Sequence, residues 1–139
     1  MFLDDVPINY WGVLVAAIVY FIVGCIWYSP LLFGNQWGRH DEKLETKHGY
    51  LRQASSYIGE LIISLIIAYV LALFIQISQA NEIVEGITVA LWVWIGFIAT
   101  THFSAVLWAR KTIEHFFIHA SFMLVGLIAM GAVIIYMGV

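Results

Sequence analysis

Four apolar runs dominate this chain, and each is long enough to cross a bilayer, which takes about 20 predominantly apolar residues in a helix. They fall at about 7–28, 56–77, 83–108 and 113–137, separated by links at about 29–55, 78–82 and 109–112. In lipid every backbone N–H and C=O must be satisfied within the segment, so such runs fold as helices. The expected fold class is therefore all-α: an integral membrane bundle of four transmembrane helices. Composition agrees, because 63% hydrophobic and 11% charged residues could not give a chain of 139 residues a water-soluble surface. At this length the spans form a single transmembrane domain.

The polar links add direction. All six positive residues (Arg39, Lys43, Lys47, Arg52, Arg110 and Lys111) lie in the first and third links. Positive loops stay in the cytoplasm, so both termini are expected on the outer, non-cytoplasmic side of the membrane. Asp4 and Asp5 stand where a cleavable signal would be positive, so the first run is expected to be retained as a span, with Asp5 available to cap it. The net charge of −3 does not suggest a nucleic-acid partner. The expected partners are the lipid bilayer, further copies of the chain, and a small solute or ion. Cys25, in an apolar run, reads as a small buried hydrophobe.

The first link opens with Trp27-Tyr28-Ser29-Pro30 and continues through Phe33, Gly34 and Trp37. Tryptophan and tyrosine favour the membrane–water interface. Serine before proline starts a helix well, because the serine oxygen caps free N–H groups while proline takes the first helical position. This predicts a membrane exit followed by a short interfacial helix. The second and third links are too short for anything but tight turns, which predicts that spans two, three and four form an antiparallel meander. Gly12, Ala16, Tyr20, Gly24 and Tyr28 follow at spacings of four, as do Ser56, Glu60, Ser64, Ala68 and Ala72. Rows of small residues let helices approach closely in lipid. They are expected to form seams within one bundle or between copies of a homo-oligomer.

Several of these motifs occur together in one family. Ile8-Asn9-Tyr10-Trp11, the run from Gly24 through Trp27-Tyr28-Ser29-Pro30 to Phe33-Gly34 with Trp37, Gly96-Phe97 with Thr100-Thr101, and the Trp108–Lys111 turn resemble the family catalogued as domain of unknown function 1761. The resemblance covers nearly the whole chain. It implies a small bacterial membrane protein of four helices and implies no activity. The family pattern also has an asparagine near the position where this chain has His119.

Chemistry, if present, belongs to the ionisable groups inside the spans, since each is costly there. Glu60 lies about one turn into the second span, His102 in the inner half of the third, and His115 and His119 near the start of the fourth. His102 is eight residues before Arg110 and His119 nine after it, which places both imidazoles roughly 12 Å deep at about 1.5 Å per residue. His115 and His119, four apart, share a helix face. These four residues could hold a transition metal, relay protons, or ligate haem. Alternatively, they are cap and packing residues, and no cofactor is bound. The order Glu-His-x-x-x-His is not the zincin motif, and no phosphate-binding glycine loop, cysteine pair or nucleophile elbow is present. The expectation is a non-enzymatic oligomeric membrane module that conducts or transports a small solute or ion. The alternative is a metal- or haem-binding redox protein or enzyme.

Overall fold

The computed structural model describes residues 5–28, 49–109 and 112–138. Among them there are four long helices and no strand. We number them α1 (Tyr10–Trp27), α2 (Gly49–Ile77), α3 (Ile83–Trp108) and α4 (Ile113–Tyr136). All four are long and apolar enough to span a membrane, α2 through its Ala54–Ile77 portion. The expected interfacial helix, with Ser29, Pro30, Phe33, Gly34 and Trp37, lies outside the described residues.

The ends of the helices have specific causes. Asn9, rather than Asp5, caps α1: its side-chain oxygen accepts from the Trp11 and Gly12 N–H groups. Its amide nitrogen donates to the Met137 carbonyl at 2.7 Å, which ties the start of α1 to the end of α4. The α2 C-terminus turns through Gln79, whose φ of 58° is left-handed. Ala80 N–H reaches back to the Ile75 carbonyl and Gln79 N–H to that of Gln76, the paired bonds of a Schellman stop. Glu85 accepts from the Asn81 and Glu82 N–H groups at the start of α3, and Thr112 accepts from His115 N–H to open α4.

α4 is the hub. Its buried residues, among them Ile118, Phe122, Gly126, Leu127, Met130, Gly131 and Ile134, serve two neighbours at once. Against α1 they form one antiparallel seam: Gly12 meets Met137, Tyr20 lies over Gly126, and Gly24 faces the Phe122 ring. Against α3 the helix backbones themselves approach, since a Cβ added to Gly131 would stand 2.7 Å from the Gly86 carbonyl oxygen. α2 packs on α1 through the row Ser64, Ala68 and Ala72.

The lateral order is therefore α2–α1–α4–α3, and the expected meander of spans two, three and four is incorrect: α2 and α3, though joined by a short turn, touch little. A tight link fixes antiparallel direction but not lateral contact. The small-residue seams decide which faces meet, because without water to drive helices together close packing is the main attraction. The row on α1 and the Ser64, Ala68 and Ala72 part of the row on α2 lie inside this bundle, whereas Ser56 is exposed. Cys25 is also unlike its reading from sequence, because it lies exposed on α1 rather than buried.

α3 is not a uniform α-helix. Its middle, Trp94–Ala99, is a π-helical segment, a form that occurs mostly as single-turn bulges. Just beyond it, Thr100 Oγ1 donates to the Gly96 carbonyl, Thr101 Oγ1 to that of Phe97, and His102 Nδ1 meets that of Ile98 at 2.9 Å. Three consecutive side chains thus cover three consecutive carbonyls of the widened turn.

Candidate functional site

The site lies at the end of the bundle where α1 finishes and α4 begins, and α4 supplies its centre. Residues Ile118, His119 and Ala120 are gripped from both flanks. From α1, the Trp27 indole N–H donates to the Ile118 carbonyl at 3.0 Å. From α3, the Trp94 indole N–H donates to the Ala120 carbonyl at 2.9 Å. Indole N–H groups need an acceptor when buried, and helix carbonyls are the acceptors to hand.

Between these two anchors stands His119, half-buried. The Tyr28 hydroxyl lies 2.6 Å from its Nδ1. On the other side the His102 ring approaches, with ring centres 4.8 Å apart and planes inclined at 42°. A carbonyl oxygen only accepts, so the contact with Ile98 requires that His102 Nδ1 carry hydrogen, which leaves Nε2 with the lone pair when the ring is neutral. Phe122 closes the cluster from within, 5.4 Å from the Tyr28 ring and 6.0 Å from that of His119. Tyr20 stacks beyond it at 4.9 Å.

Of the four candidates from sequence, the structure brings His102 and His119 together. Glu60 lies half-buried on α2. Its backbone carbonyl takes the buried Ser64 hydroxyl at 2.8 Å. His115 sits one turn before His119 in the capped first turns of α4. Among the described residues, no three His, Cys, Asp or Glu side chains come together as a metal site. Two imidazoles on opposite faces of a haem iron would hold their ring centres about 6 Å apart, given metal–nitrogen bonds of about 2 Å. At 4.8 Å the His102–His119 pair does not bracket a haem.

Two participants escaped the sequence reading. Trp94 passes for an apolar packing residue until its N–H is seen to reach α4. Tyr28 reads as an interface anchor, whereas its hydroxyl is committed to His119. The signal available was helical spacing, since Tyr28 continues the row of Tyr20 and Gly24 and so must face the same neighbour. Of the polar residues toward the other end of the spans, Asn9 and Glu85 are occupied as caps, and Gln76 lies half-buried on α2.

A family model described as "Protein of unknown function (DUF1761)" matches residues 11–135. The comparisons with curated proteins and with solved structures each find no match.

Proposed function

From membership of the family of unknown function 1761, to which this chain belongs, and from the placement of its small and polar residues, we propose a non-enzymatic membrane module that assembles with copies of itself. In this reading a small solute or ion passes along surfaces between copies rather than through one bundle. Within one protomer, Tyr28, Glu60, Ser64, His102 and His119 gather at one end. The rest of the core is filled by Ala16, Ala17, Ala72, Ile75, Ala90, Leu127, Met130 and Ile134. Among the described residues, that packing leaves no buried polar route across a single bundle.

The observation that carries the assembly reading is Gly96. It lies mid-span on α3, and a Cβ built there would meet nothing within 4 Å. Glycine weakens a helix by roughly 1 kcal/mol relative to alanine, and no contact among the described residues requires it. One turn on, Thr100 and Thr101 also face outward, and about two turns on so does Ser104. A glycine flanked by hydroxyls is what close approach between helices uses in lipid. The charge distribution supports placing the His119 end at the cytoplasmic face of a bacterial plasma membrane, with both termini outside.

Crosslinking tests the reading. In a Cys25→Ser background, Gly96→Cys in native membranes should give a disulfide-linked dimer on mild oxidation, while Ile66→Cys, exposed at mid-span on α2, gives less. Equal or absent crosslinking at both positions would contradict it.

A further inference from the structure

His102 on α3 and His119 on α4 bring their rings into contact at one end of the bundle. Two imidazoles bound to one metal ion at a roughly tetrahedral angle hold their ring centres about 5 Å apart, given metal–nitrogen bonds of about 2 Å. The observed separation is 4.8 Å. Each ring is also held at Nδ1, His102 by the Ile98 carbonyl and His119 by the Tyr28 hydroxyl. A metal-bound histidine almost always engages its second nitrogen in this way, with a carbonyl or other oxygen, which fixes the tautomer and the ring plane.

We propose that His102 and His119 bind one divalent transition-metal ion through their Nε2 atoms. Imidazole ligands suit copper and zinc in particular. With metal on Nε2, His119 Nδ1 keeps its hydrogen and donates it to the Tyr28 oxygen, and His102 Nδ1 donates to Ile98. Tyr28 and the widened turn of α3 are then positioning elements: the first orients one ligand and the second supplies the carbonyl that orients the other. No third His, Cys, Asp or Glu joins the pair among the described residues. With this pair as its ligands from the described residues, the ion takes its remaining donors from water or an exogenous group, as in open rather than closed zinc sites.

The test uses full-length protein in lipid nanodiscs, purified without a histidine tag, with His40 and His48 replaced by Gln so that only His102, His115 and His119 remain. Copper(II) is the probe, titrated by calorimetry and read by pulsed electron paramagnetic resonance, in which the remote nitrogen of each bound imidazole modulates the echo. The expected result is one equivalent bound with two imidazoles. His102→Gln and His119→Gln should each weaken binding at least tenfold and leave no two-imidazole signal. Tyr28→Phe should weaken it severalfold and keep both imidazoles, and His115→Gln should change it less than twofold. Circular dichroism and elution volume show whether each variant keeps its fold, and because the two ligand variants sit on different helices, one misfolded protein does not remove the test. Absence of binding overturns the proposal, as does a single imidazole in the parent protein, or equal affinity in parent and folded His102→Gln.

Discussion

Gly86 and Gly131 face one another across the α3–α4 crossing so closely that each one's absent side chain is the other's space. A Cβ on Gly86 would stand 2.9 Å from the Gly131 carbonyl oxygen, and one on Gly131 would stand 2.7 Å from that of Gly86. The obstruction is backbone on both sides, so no rotamer change relieves it. This contact explains why α3 is held by α4 although it buries only Gly86 and Ala90.

Gly131→Ala should therefore destabilise the fold by about 1–3 kcal/mol, the usual cost of overpacking a tight site. Gly96→Ala, with open space around it, should change protomer stability by less, and in the opposite direction through better helix propensity. Equilibrium unfolding in mixed micelles compares the two. Equal losses would mean that the crossing is looser than its geometry.

Gln79 holds a left-handed φ of 58° at the end of α2, a conformation that costs an L-residue roughly 1–2 kcal/mol and glycine little. Gln79→Gly should accordingly stabilise the protein by about 1 kcal/mol, visible as a raised midpoint in the same assay. A loss instead would show that the Gln79 side chain does more than terminate the helix.

The Trp94 anchor on α4 can be compared with an exposed tryptophan on another helix. Trp94→Phe removes the donor to the Ala120 carbonyl and shrinks the ring, at a cost of about 1–3 kcal/mol. Trp11→Phe, exposed on α1, should cost nothing measurable. A cost at Trp11 comparable with that at Trp94 would show that the loss is not specific to the anchor.

Much of this architecture was legible in the chain because lipid makes the code simple. Apolar run length gave four helices, and the row Gly12, Ala16, Tyr20, Gly24 marked one face of α1 as a packing seam. The depth count from Arg110 gave the level shared by His102 and His119. What sequence did not reveal was lateral order. The turn at 78–82 is equally short whether α2 and α3 pack or splay, and only the complementarity of Gly86 with Gly131 and of Tyr20 with Gly126 decides it. The widened turn at Trp94–Ala99 was also hidden, since threonine and histidine four residues after a carbonyl are ordinary in a spanning helix. Polar residues such as Asn9 and Glu85 were ambiguous for a similar reason: a cap and a pathway group use the same side chains, and only the bonds distinguish them.

The mass of the intact particle is the sharpest test of assembly through the outward face of α3. Native mass spectrometry of the protein released from nanodiscs should show a defined multiple of the 15.7 kDa chain, reduced to the single chain by Gly96→Leu while the helical content is unchanged. A single chain in the parent protein, or the same multiple in Gly96→Leu, would contradict it.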